Sequence, residues 1–218
     1  MHLDFERIWP SVPYILGGIP VTLAYTGVSL CLGFIWGALL TLCKVGHITP
    51  LKWFADFYTS IFRGTPLLLQ LSLIYFASPQ FVGYTISIWE AGILTFTLNS
   101  GAYISEHIRG GINSVDKGQM EAALSLGLPY PLIMKDIILP QAIRNILPSL
   151  VNEAIDLLKE SALISVIGGV DILRRSTIVA QEKYLYFEPL IIAGLLYYIL
   201  IIILTTGARI LEKKLKTL

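Results

Sequence analysis

Four ionisable side chains and an amide crowd into Asn152-Glu153-Ala-Ile-Asp156-Leu-Leu-Lys159-Glu160-Ser161, within a chain otherwise dominated by apolar residues. Carboxylates accept hydrogen bonds and an ammonium donates them, so this set can hold a charged solute, bind an ion or proton, or pair internally. On a helix advancing about 100° per residue, Asn152 at 0° puts Lys159 near about −20°, Asp156 near about 40°, Glu160 near about 80° and Glu153 near about 100°. Ala154, Ile155, Leu158, Ala162 and Ile164 occupy much of the remaining circumference, an apolar surface for lipid or neighbouring helices. Charges inside a bilayer face a bundle interior or a water-filled path and find partners. The stripe therefore specifies either a polar path or a register-fixing pair of Lys159 with Asp156 or Glu153.

Such a stripe needs helices around it, and the composition supplies them. With 55% hydrophobic and 14% charged residues over 218 positions and a mean hydropathy of +0.70, the chain lies outside the balance of a soluble globular domain and reads as a polytopic membrane protein. The runs Ile15 to Cys43, Trp53 to Ala77, Thr85 to Ile104 and Leu190 to Ala208 can each cross a core that takes about 20 helical residues. Breaks fall at Lys44-Val-Gly-His-Ile-Thr-Pro50, at Ser78-Pro79-Gln80 and after Ile104. A further run, Pro140 to Gly168, carries the polar stripe. The start from His2 to Arg7 is as acidic as basic, and the apolar run after it is too long for a cleaved signal. No repeat, low-complexity tract or linker divides the chain, so residues 1–218 are expected to form a single transmembrane domain. Cys31 and Cys43 stand about 18 Å apart along one helix, cannot pair within it, and read as small buried hydrophobes.

If Pro140 to Gly168 spans, ten basic residues (Lys44, Lys52, Arg109, Lys117, Lys135, Arg144, Arg209, Lys213, Lys214, Lys216) fall on one side and four (Arg7, Arg174, Arg175, Lys183) on the other. The richer side is then cytoplasmic, which puts the amino terminus outside and the carboxyl terminus inside. Without that span a similar bias survives, but only by counting a loop of about 80 residues, where the rule is weak. Charge counting leaves both arrangements open. Arg63 lies inside the second run, where a charge at a helix centre costs about 2.5 to 3.5 kcal/mol on insertion scales. In Arg63-Gly64-Thr65-Pro66, Gly64 and Pro66 imply a kink or broken helix. Arg63 is either an internally paired residue shaping that kink or a gate or pathway charge.

In the loop of about 113–140, Asp116 with Gln119 fits the pattern of a capping box, so a helix can start there, and Met120 to Leu126 continues it with good helix formers. Gly127 is placed as the C-terminal cap, and Pro129 and Pro131 prevent continuation. The product is a short cytoplasmic helix, either a linker at the interface or one that offers Ala122 and Ala123 beside Glu121 to another protein's groove. Here the chain resembles a known family. Glu121-Ala122-Ala123, three residues, Gly127, nine residues, Ile137, one residue and Leu139-Pro140 match the EAA loop of ABC-importer permease subunits, spacing included. Arg63-Gly-Thr-Pro-Leu-Leu-Leu-Gln70, Asn99-Ser-Gly-Ala-Tyr103, Glu106-His-Ile-Arg-Gly-Gly-Ile112, Pro140-Gln-Ala-Ile143 and Leu158-Lys-Glu-Ser-Ala-Leu163 look like the polar amino acid permeases of that superfamily.

The resemblance, which runs from about Gly18 to the end, implies an all-α, five-span type I importer subunit in the plasma (inner) membrane, amino terminus outside. It supports Pro140 to Gly168 as a span, and it implies a dimer with a second copy or a sister permease. Glu121, Ala122, Ala123 and Gly127 would couple it to a dimer of separate ATPase subunits. The chain has no Gly-x-x-x-x-Gly-Lys-Ser/Thr loop, so no cofactor is expected in it, and ATP and magnesium belong to the ATPase. An extracytoplasmic solute-binding protein would deliver substrate, and the loop Gly168 to Phe187 either touches it or is a solvated loop with a short helix. The remaining surroundings are the lipid bilayer, with no nucleic acid.

The substrate implied is an amino acid. Its α-carboxylate suits Lys159, Asn99 or Asn152 and its α-ammonium suits Glu153 or Glu160. Ser161 belongs to the same path, and Asn99, Ser100 and Gly101 of the third run are the expected facing groups. Family members often carry an apolar residue at Asp156. Three carboxylates against one ammonium therefore point to a cationic amino acid such as arginine, lysine or histidine, unless Arg63 or a proton neutralises Asp156. The competing reading is an ion-coupled secondary transporter or channel built on Glu153, Asp156 and Glu160. Against it stand the lack of an inverted repeat and an EAA-type loop with no task. His2, His47 and His107 form no His-Glu-x-x-His pair and no nucleophile elbow occurs, so enzymatic activity is not expected.

Overall fold

The computed structural model describes residues 3–216, and His2 lies outside them. Every regular element among the described residues is helical. They are α1 (Ile19–Val45), α2 (Thr49–Gly64), α3 (Leu67–Ser72), α4 (Ile88–Asn113), α5 (Lys117–Ser125), α6 (Leu139–Glu160), α7 (Ile172–Lys183) and α8 (Phe187–Lys216). Short helical turns precede α1 from Phe5 to Leu16, and a π turn, Leu73–Ala77, carries α3 on into Ser78–Val82.

Phe5–Val45 and Phe187–Ile210 are long and apolar enough to cross a membrane. The expected run from Trp53 to Ala77 is not straight: Thr49–Gly64 and Leu67–Phe81 are bent by 103°. The residue before a proline is forced out of the α region, and Thr65 duly sits at φ −122°, ψ 147°. The orphaned carbonyls at the end of α2 find amide donors instead of a next helical turn. Gln70 Nε2 donates to Phe62 O and to Thr65 Oγ1, both at 2.9 Å. Asn99 Nδ2 donates to Phe62 O and Gln70 Oε1, both at 3.0 Å.

Helices α4 and α6, which hold the expected Thr85–Ile104 and Pro140–Gly168 runs, are less apolar than α1 and α8. The buried face of α4 explains why, because it is built from Gly92, Thr95, Asn99, Ser100, Gly101 and Ser105. A Cβ on Gly37 of α1 would stand 2.8 Å from Gly101 O, and one on Gly101 would stand 2.6 Å from Trp36 Cδ1. Small residues at this seam let the two backbones approach, the usual basis of helix association in lipid. A buried cluster including Tyr25, Leu71, Phe96, Leu157 and Ile164 ties α1, α3, α4 and α6 together. A second, with Ile8, Ile15, Ile172, Val179 and Ala193, packs the leading turns on α7 and α8.

The expected Pro140–Gly168 helix is shorter than its apolar run. It ends at Glu160, tightens into a 3-10 segment, Ser161–Ile167, and stops at Gly168 with φ +94°. The capping box at Asp116 is not formed. Asp116 accepts from Gly118 N at 2.6 Å, while the Gln119 side chain, instead of returning to Asp116, exchanges two hydrogen bonds with Gln141. Gly127 does close α5, at φ +78°. Gly127 N reaches Leu124 O at 2.9 Å and Leu128 N reaches Ala123 O at 3.2 Å, a Schellman motif.

Candidate functional site

Helix α6 turns Asn152, Glu153, Asp156, Lys159 and Glu160 toward Tyr103 and His107 of α4, and with Leu163 these line one cavity of about 600 Å³. The 3.6-residue period gathers the five polar groups; the Gly/Ser face of α4, by closing on α1, leaves its Tyr103/His107 face toward them. Lys159 Nζ lies 2.6 Å from Asp156 Oδ1, with both side chains about half exposed. Of the internal pairings open to Lys159, this one is formed, and Glu153 instead lies 3.7 Å from His107 Nε2. Arg63 does not neutralise Asp156, because its ion partner is Glu106. A cavity walled partly by protein strengthens each of these charges relative to bulk water.

Two expected path residues lie elsewhere. Asn99 is committed to the α2–α3 break. Ser161 is fully buried, its hydroxyl donating to Leu158 O at 2.8 Å. Ser100 and Gly101, expected to face the stripe, face α1. The groups that do face it, Tyr103 and His107, follow Asn99 by four and eight residues, which turns the helix surface by about 40° and about 80°. Their i, i+4 spacing was the available signal.

The groove continues past His107 into a second cavity of about 530 Å³, lined among others by Glu106, Gly111, Ser114, Arg144, Asn145 and Ser149. Beside it lies an ionic cluster the sequence did not announce. Lys44, which reads from sequence as a loop cation, is buried. It donates to Thr59 Oγ1 at 2.7 Å and to Glu106, with Asp56 at 3.7 Å. Glu106 also takes Arg109 Nη2 at 2.6 Å and Arg63 Nη1 at 3.7 Å. The Arg63 guanidinium sits 5.5 Å above the Tyr103 ring, so an internally paired arginine backs a wall of the cavity. At the break in Arg63-Gly64-Thr65-Pro66 no close packing demands glycine, since nothing lies within 4 Å of a Cβ built on Gly64.

On α5, Glu121 and Ala122 are exposed while Ala123 is buried among Val115, Ile133, Ile138 and Ala142. Leu124 and Leu126 project outward. At the far end, Asp171 caps α7 by accepting from Arg174 N at 2.8 Å and takes a 2.8 Å hydrogen bond from Tyr197 Oη. Burial pushes its carboxyl above the ordinary aspartate value, against the lowering pull of these hydrogen bonds. Arg175 Nη1 donates to Tyr14 O at 3.0 Å, so this segment is packed rather than wholly solvated. Among the described residues no group of three or more His, Cys, Asp or Glu is placed to hold a metal ion.

Comparison with known proteins places this geometry in context. Residues 14–217 match the family model described as binding-protein-dependent transport system inner membrane component. The chain is 52% identical over 217 residues to the arginine transport system permease protein ArtQ of Bacillus subtilis (strain 168), covering 100% of this chain and 99% of that one. It is 55% identical over 208 residues to the putative glutamine transport system permease protein GlnP of Rickettsia felis, covering 95% of each. A solved structure, "Crystal structure of an amino acid ABC transporter with histidines", superposes with a TM-score of 0.94 at 41% identity, covering 98% of this chain and 100% of that one.

Proposed function

This chain belongs to the family of binding-protein-dependent transport system inner membrane components, and on that premise we propose that it passes a cationic amino acid along the groove between α4 and α6. It is a multi-pass inner-membrane permease subunit of a type I ABC amino-acid importer of the polar amino acid kind, and it is not itself an enzyme. The observation that carries the cationic reading is the sign of the cavity, where Glu153, Asp156 and Glu160 stand against Lys159. Asp156 lies beside Lys159 and Glu153 faces His107 at 3.7 Å; Glu160 and Glu153 then meet an α-ammonium and a second positive group, the latter in exchange for His107, while Lys159 and Asn152 suit the α-carboxylate. The two relatives are named for arginine and for glutamine, and the carboxylate excess favours the former.

The family partners an ATPase subunit and a solute-binding protein. In this reading a pair of ATPases, holding ATP and magnesium, docks on the Glu121–Gly127 face, and a second copy or a sister permease completes the channel. The chain forms one domain of five spans, with α2 and α3 counted as one broken span. The ten-to-four split of basic residues supports an amino terminus outside and a cytoplasmic carboxyl terminus. Arg63 to Pro66 serve as the bend that sets the cavity wall. An ion-coupled carrier using the same carboxylates is not favoured, since it leaves the EAA-type loop without a task.

Uptake of labelled arginine and glutamine into vesicles carrying the permease, its ATPase and its binding protein tests the reading. Arginine is expected to exceed glutamine at least about tenfold, a difference of about 1.4 kcal/mol. Glu160→Gln or Lys159→Met is expected to abolish uptake with assembly intact. Equal uptake of the two amino acids would exclude the cationic assignment. Uptake driven by an ion gradient without ATPase would exclude the importer itself.

A further inference from the structure

Resting on the importer reading, we infer that the reciprocal Gln119–Gln141 amide pair is the positioning contact through which movement of α5 reaches the cavity face of α6. Gln119 Nε2 donates to Gln141 Oε1 at 3.0 Å, and Gln141 Nε2 donates back to Gln119 Oε1 at 2.5 Å. The same Gln141 amide donates at 2.8 Å to Ile137 O, within a second π turn, Met134–Ile138, that leads into α6. One turn on, Asn145 Nδ2 donates to Ser114 Oγ at 2.8 Å, and that hydroxyl donates to Gly111 O at 2.7 Å. Gln119 shares a nine-residue helix with Glu121-Ala122-Ala123, so whatever displaces that helix displaces Gln119.

The route onward is a single face of α6. Taking Gln141 as 0° and about 100° per residue, Asn145, Ser149, Asn152, Asp156, Lys159, Glu160 and Glu153 all fall within an arc of about 120°. The arc begins at the clasp and ends in the cavity of about 600 Å³. Apolar packing also holds α5, through Val115, Ala123, Ile133 and Ala142, but such contacts slide with little angular preference. Two antiparallel amide hydrogen bonds fix both distance and rotation. The pair thus makes α5 and the first turn of α6 one unit, and rotation of that unit swings the carboxylate face.

The test uses the full transporter, with ATPase and binding protein, in vesicles. Gln141→Ala is expected to keep the ATPase bound and its substrate-independent hydrolysis within about twofold of wild type, while substrate moved per ATP falls at least about tenfold. Unchanged substrate moved per ATP overturns the inference. Because misassembly of Gln141→Ala would give the same loss, Gln119→Cys with Gln141→Cys is joined by a short, reductant-cleavable thiol reagent in a background lacking Cys31 and Cys43. The joined protein, in which the link stands in for the amide pair, is expected to move at least about tenfold more substrate per ATP than the reductant-cleaved protein, which has neither, and equal transport by the two overturns the inference. Loss of transport on joining, restored by reductant, overturns the inference. Failure of the importer reading itself would show in the wild type, which would neither retain the ATPase nor couple ATP to uptake.

Discussion

Glu106 receives Lys44, Arg63 and Arg109 on one carboxylate, and Lys44 is the partner least able to do without it, with a side chain 2% exposed. Removing one member of a buried ion pair typically costs about 3–5 kcal/mol, because the charge left behind has neither water nor partner. Glu106→Gln is therefore expected to lower the thermal midpoint of the detergent-solubilised protein sharply. Adding Lys44→Met should recover most of the loss, since an apolar replacement of a whole buried pair is often neutral; no recovery would mean that Arg63 and Arg109 are the partners that matter. The residues of this cluster differ in how far sequence reveals them. Arg63 stands out because glycine and proline flank a charge inside an apolar run. Lys44 does not, because at the end of a run a lysine looks solvated, and only the approach of α2 and α4 buries it. The Asn152–Glu160 stripe was legible because helical period alone brings it together. Its facing groups were not, since the rotation of α4 is set by packing on α1.

At the scale of elements, the α1–α4 seam sets that rotation. A methyl at Gly37 would press on a backbone oxygen at 2.8 Å, which cannot turn aside as a side-chain tip can, so overpacking of about 1–3 kcal/mol is expected. Gly27 on the same helix has nothing within 4 Å, so Gly27→Ala should leave the melting temperature unchanged or slightly raised while Gly37→Ala lowers it. Equal effects would refute the close seam. The cap of α7 yields a pH prediction. Asp171 titrates above its ordinary value because it is buried, so folding favours its protonated form. The stability it contributes is fully present below about pH 3.9, the unfolded value, and is lost as pH rises through the raised one. Asp171→Asn keeps a cap acceptor and removes the titration, so its melting temperature should fall less across that window than that of wild type. Apolar runs announced α1 and α8 directly. The bend between α2 and α3 was visible from Gly64 and Pro66 as a kink or break but not in its size, because its 103° angle depends on Gln70 and Asn99 satisfying the exposed carbonyls.

For the molecule as a whole, energy must enter through a surface that the fold itself does not consume. If α5 docks the ATPase as proposed, the helix separates those two demands by face. Ala123 is buried at 4% exposure and anchors the helix to Val115 and Ala142, whereas Leu126 is 80% exposed and Leu124 is 51% exposed. Exposed leucines next to a helix already anchored by its other face are apolar area left for a partner, and such area dominates when it becomes fully desolvated at an interface. Leu126→Glu should therefore leave the melting temperature within experimental error while ATPase co-purification falls at least about tenfold, a loss of about 1.4 kcal/mol or more. Ala123→Glu should do the reverse, lowering the melting temperature because a carboxylate would be forced into an apolar cluster. The two outcomes separate docking from folding within one short helix. If Leu126→Glu kept its ATPase, the docking face would have to be sought at Glu121 and Ala122, and a Glu121→Lys variant measured in the same co-purification would decide between them.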